Sequence, residues 1–184
     1  MPSVFPALGS LDTSGRRGMF IADTHDRPEH IRALTAAVPQ LAGVIDVLFL
    51  EAFYANQNPG AMNPATIQTH LTDRSFDWTT SLARDLYDLS HETAAHRIEI
   101  QGIDSPLSSL WAPKMPLGMR RITWRTSPQL NSKWVFKVQQ HMATKTSKRY
   151  AIFGGKEHGA LLKVHGLPDL VCYEWSGAAY QEVV

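Results

Sequence analysis

Five residues in this chain, Asp23, His25, Glu51, Asp104 and His158, have side chains that move protons, and each stands at or just beyond the end of a short apolar run. A neutral imidazole takes a proton from water near neutral pH, and a carboxylate beside it orients the ring and stabilises its cation. The same mixture of imidazole and carboxylate could hold a divalent metal, whose bound water then becomes the nucleophile. Gly154, Gly155 and Gly159 surround His158 and would permit close backbone approach to a ligand, with amides there stabilising a developing oxyanion. Arg120, Arg121 and Arg125 could anchor an anionic part of a substrate, although solvated arginines are the plainer account.

Each of these residues also has an ordinary structural reading. Asp23 could bond its own following backbone in a turn, and Asp104 before Ser105-Pro106 fits turn initiation equally well. Asp26 reads as a helix cap. Glu51 is harder to dismiss, because a solvated charge is not expected directly after Val47-Leu48-Phe49-Leu50. His30, His70, His91, His96 and His141 fall on helical patterns and are expected at the surface, and His165 beside Gly166 in a loop. The single cysteine, Cys172, lies in an apolar run, where a buried and inert thiol is expected.

The elements that must position the five are strands alternating with helices. Residues 18–22 form a compact apolar run, and the polar turn after it leads to a helix carrying Ile31, Leu34, Val38 and Leu41, with Asp26 and Glu29 as a capping box and Pro28 in the first turn. Residues 44–50 are almost continuously apolar, as in a parallel strand covered on both faces, and end at Glu51. Asn63-Pro64 starts a helix. Asp77 would cap another that carries Trp78, Leu82, Leu86 and Leu89. Residues 97–103 alternate like a strand and end at Asp104, and a proline-rich loop follows over 105–119. Ser127-Pro128 opens a helix with Leu130, Trp134, Val138 and Met142. Residues 150–153 form a fourth strand and residues 170–175 a fifth.

This alternation predicts an α/β domain, a mainly parallel sheet flanked by helices, with the site at the carboxyl ends of the strands. Residues 1–17, rich in Pro, Gly and Ser, read as a flexible leader, and 18–184 as a single domain. The 184 residues suit one domain, and 43% hydrophobic with 19% charged residues is a globular balance. A net charge of +1 gives no electrostatic pull toward nucleic acid, and the basic run 145–149 is short. No run approaches the roughly 20 apolar residues of a membrane span. No secretory signal peptide is apparent, which leaves the cytoplasm or export by a dedicated secretion system.

In their order along the chain these residues resemble a superfamily's motifs. It groups the haem-uptake protein ChaN, erythromycin esterase, the TraB and Tiki proteins, and the HopBA class of plant-pathogen type III effectors. Its pattern is a first strand ending in Gly-Glu-x-His, a second ending in Glu, a third ending in Gly-x-Asp, and a late Gly-x-x-His. Here the positions read Ala22-Asp23-Thr24-His25, Leu50-Glu51, Gly102-Ile103-Asp104 and Gly155-Lys156-Glu157-His158. Asp23 is one methylene shorter than the family's Glu, and Ala22 replaces its Gly. The resemblance implies a hydrolase, esterase or metal-dependent peptidase in type, acting on a small-molecule or peptide substrate. Its compact size points to the effector class, a bacterial protein acting on a host protein inside a host cell. In it His25 would be general base, Glu51 or Asp23 would orient it, and His158 would polarise or protonate the substrate. The alternatives on the same fold are a module that binds haem or another small ligand, and an interaction protein recognised by a host partner.

Overall fold

The computed structural model describes residues 18–24, 27–74, 82–105, 128–144 and 149–183. His25, Asp26, Asp77, Trp78, Arg120, Arg121 and Arg125 lie outside them, as do the leader and almost all of the proline-rich loop. In chain order the elements are β1 (Gly18–Asp23), α1 (Pro28–Leu41), β2 (Val47–Tyr54), a 3-10 turn (Pro59–Ala61), α2 (Pro64–Arg74) and α3 (Ala83–Ala95). Then come β3 (Glu99–Asp104), α4 (Pro128–Thr144), β4 (Tyr150–Gly155), α5 (Glu157–His165), β5 (Val171–Trp175) and β6 (Tyr180–Val183). The six strands form one sheet in the order β3-β2-β4-β1-β5-β6, parallel except where β6 runs antiparallel to β5.

Strand side chains alternate between faces, and here each face meets its own helices. Met19, Ile21, Leu48, Leu50, Ala151 and Phe153 pack with Ile31 and Leu34 of α1, Ile67 and Leu71 of α2, and Leu86 and Leu89 of α3. Phe20, Ala22, Val47, Phe49 and Ile152 pack on the other face with Leu130, Trp134 and Val138 of α4 and Leu162 of α5. The chain moves one way across the sheet from β1 to β3 and back from β3 to β5. A constant handedness of crossover requires the helices to change face at that reversal. β4 therefore enters between β1 and β2, and the helices that follow β4 and its two neighbours part to opposite sides. In open α/β sheets that is where ligands bind.

Several boundaries differ from the sequence reading. β2 begins at Val47 and continues three residues past Glu51, so Glu51 lies within a strand, not after one. β4 extends through Gly154 and Gly155, and His158 is the second residue of α5. The β2–β3 register shifts between Leu50 and Tyr54. There the Tyr54 carbonyl crosses so close over Gly102 that any Cβ would collide with it, which is why a glycine precedes Asp104 by two residues. β6, short and mostly exposed, carried no apolar signal. The N-cap of α1 is Arg27, without a side-chain bond, while Asn63 Oδ1 accepts from Thr66 N at 2.9 Å at the start of α2. His30 and His70 are buried rather than at the surface, and His165 closes α5 instead of standing in a loop.

Candidate functional site

Glu51 and His158 are brought together by strand pairing and by one helix start. Leu50 pairs with Phe153, so Glu51 lies beside the glycines that close β4. It points, like Phe49, to the face covered by α4 and α5. There its carboxylate is 3% exposed. Oε2 accepts from Gly155 N at 2.6 Å, a charge-assisted bond at its short end. Oε1 faces His158 Nε2 at 3.6 Å, an ion-pair separation rather than a hydrogen bond. His158 is itself 1% exposed. Its Nδ1 lies 3.0 Å from Asn131 Oδ1 on α4, and its ring stacks on Trp134 with centroids 4.3 Å apart. Burying a carboxylate is costly unless it is hydrogen-bonded and faces a group that can carry the opposite charge; here Gly155 N supplies the bond and the His158 imidazole is the facing group.

The two glycines of β4 make this arrangement fit. A Cβ on Gly154 would stand 2.9 Å from Glu51 Oε2 and 3.3 Å from the Trp134 ring. Gly155 gives its amide to Glu51, so that N–H is not open to a ligand's oxyanion as the sequence suggested. A Cβ on Gly159 would meet Phe20 at 3.0 Å and Cys172 at 3.1 Å, so the glycine there serves the packing of α5 on the sheet.

Asp23 takes a different direction. It continues the face of Met19 and Ile21, toward α1, and is also 3% exposed. Its Oδ1 lies 3.5 Å from His30 Nδ1, which also accepts from Thr24 N at 3.3 Å. Tyr180 O–H donates to the His30 carbonyl at 3.3 Å. Burial, with the Asp23 charge second, holds the Tyr180 phenol above its ordinary range. The strand ends thus carry two carboxylate–imidazole pairs, Glu51–His158 and Asp23–His30, on the two faces of the sheet. Asp104, buried at the end of β3, accepts from Ser105 N at 2.8 Å through Oδ1. Its backbone carbonyl accepts from Ala55 N at 2.8 Å.

Asn131, Trp134 and His30 are site neighbours that sequence reasoning missed. Asn131 had a signal, since it is a polar residue on the buried stripe of α4. His30 had one too, at helical spacing from Leu34 and Val38. For a metal, Glu51 and His158 are two facing donors, and among the described residues no group of three or more His, Cys, Asp or Glu is so placed. No described helix is long and apolar enough to cross a membrane. An open cavity of about 280 Å³ lies elsewhere, between the 3-10 turn and α3, lined by Met62, Asn63, Tyr87 and His91 among others. Cys172 is buried, and burial raises its thiol pKa.

No family model matches the chain, and no curated protein matches it significantly. Solved structures do. The type III effector HopBA1 matches with a TM-score of 0.62 at 16% identity, over 85% of this chain and 78% of that one. A structure described as bacterial protein toxins matches at 0.57 and 14% identity, over 96% of this chain. RRSP, a MARTX toxin effector domain from Vibrio vulnificus CMCP6, matches at 0.52 and 13% identity, over 98% of this chain. This chain spans 37% and 39% of the latter two. At such identities the likeness establishes a shared fold, one found in bacterial effector and toxin domains.

Proposed function

We propose that this chain is a hydrolase-like domain of the effector type, in which the buried Glu51–His158 pair takes part in activating water against an ester or amide bond. The observation that supports it most is the placement of that pair. A carboxylate and an imidazole, each almost fully buried, face one another beside the strand flanked on both sides by a change of helix face. A core without function would reach similar stability with apolar side chains there.

In this reading His25, two residues after Asp23, takes the proton of the attacking water. The His158 imidazolium, backed by Glu51, gives its proton to the leaving group, and the cycle closes when His25 releases the water's proton to solvent and His158 takes one up from it. Asp23 borders the site from the other face, held by His30, and Asp104 shapes its edge. Arg121 and Arg125 contact the substrate's anionic part. A host protein or small host molecule is the proposed substrate, reached by export from a bacterium. Support for that part is the shared fold with HopBA1 and RRSP. The test is a panel of activated esters and fluorogenic peptides, with and without divalent metal, run on wild type and His158→Gln. Turnover lost in the folded variant supports the reading, and turnover that persists in it overturns the role of His158.

A further inference from the structure

We infer that Asn131 is a positioning residue: its side-chain carbonyl keeps a proton on His158 Nδ1 and so makes Nε2 the nitrogen through which the proton moves. The inference rests on the reading of Glu51–His158 as the functional pair.

Asn131 is 0% exposed and sits among Leu130, Trp134, Val135 and Val138 on the core face of α4. A leucine would fill such a place without desolvating an amide, so the polar side chain needs a partner that repays its burial. That partner is His158 Nδ1, at 3.0 Å from Oδ1. A carbonyl oxygen can only accept, so the nitrogen opposite it carries the hydrogen. Trp134, one helical turn on from Asn131, stacks on the imidazole at 28° between planes. Thus α4 fixes the ring twice. Trp134 sets its plane, and Asn131 sets its rotation, because turning the ring over would put a carbon where Nδ1 stands. Nε2 is left facing Glu51 Oε1 at 3.6 Å. An amide orienting an imidazole through one nitrogen while the other does the chemistry is a recurring catalytic division of labour.

The direct test is the nitrogen-15 spectrum of the imidazole side chains in the full chain, with His158 assigned by the signals that vanish in His158→Gln. Nδ1 should be protonated in wild type at every pH at which the protein is folded. In Asn131→Leu the neutral ring should shift its proton to Nε2, toward Glu51, and Asn131→Asp should restore it to Nδ1. On any substrate the panel identifies, Asn131→Leu should lower kcat at least tenfold with little change in KM, and Asn131→Asp should recover most of it. A bare Nδ1 in wild type overturns the inference even if neither Asn131 variant folds, and so does an unchanged tautomer in Asn131→Leu. If the panel shows no turnover while the tautomer behaves as described, the hydrolase reading fails and the positioning of His158 stands.

Discussion

Replacing Gly154 by alanine tests whether the Glu51 carboxylate is held as tightly as its contacts imply. The new methyl carbon would lie 2.9 Å from Oε2, and two Trp134 ring atoms at 3.3 Å leave it no way to retreat. Glu51 has to yield, and its terminal oxygen is pinned by Gly155 N at 2.6 Å. Losing a hydrogen bond to a buried charged group costs about 1.5–3 kcal/mol. Overpacking that the site absorbs without breaking the bond costs about 1–3 kcal/mol. The two are alternative ways to relieve one clash, so about 2–3 kcal/mol is expected in all, or a fall in Tm of about 4–12 °C at this chain length. Denaturant unfolding of Gly154→Ala, Glu51→Ala and the pair forms the double-mutant cycle. With the carboxylate gone only the Trp134 contact opposes the methyl, and the alanine should then cost under about 1 kcal/mol. An equal cost in both backgrounds, or none in wild type, would show that the carboxylate is not what the methyl meets.

Other consequences concern the core and its buried titratable groups. Leu50 is fully buried on β2, between β3 and β4, and Leu50→Ala should lower stability by about 2–5 kcal/mol, read from the denaturant midpoint. Burial foremost, with Asp23 and Asp169 adding, raises the phenols of Tyr180 and Tyr150 above their ordinary range. Their contribution is therefore complete below the unfolded value of about 10 and is lost as pH rises beyond it. The midpoint should fall on that alkaline side, less steeply in Tyr180→Phe, and an identical slope in the variant would contradict the assignment. Burial likewise raises the Cys172 thiol, so Ellman's reagent should label it only as the protein unfolds, and rapid labelling of the native chain would show the thiol exposed.

Much of the sheet was legible because burial on both faces leaves a direct mark. Residues 47–50 are apolar without a break, and the four strands ending near 23, 51, 104 and 153 do lie side by side. β6 was not legible, since three of its four residues are exposed. The nearness of Glu51 to His158 followed from strand-end logic, but the direction of each carboxylate did not. A period of two fixes faces only once the register and strand limits are known. Asp23 and Glu51, both expected at one cluster, point to opposite faces for that reason, and His30, expected outside, is what Asp23 meets. Asn131 was hidden by the assumption that a helix's buried stripe is wholly apolar. His25, Arg121 and Arg125 lie outside the described residues; the role of His25 comes from the motif pattern, and that of the arginines from their residue type after the proline-rich loop.

Kinetics of Glu51→Gln, His158→Gln and the double variant on one substrate show whether Glu51 and His158 act as a unit. Groups that work together are strongly non-additive. If the account is right, each single change lowers kcat/KM by roughly 100-fold or more, as for a lost acid–base group, and the double variant is scarcely slower than either. Each should remain folded by circular dichroism. Single variants within about twofold of wild type, or losses that multiply in the double variant as independent sites do, would contradict it.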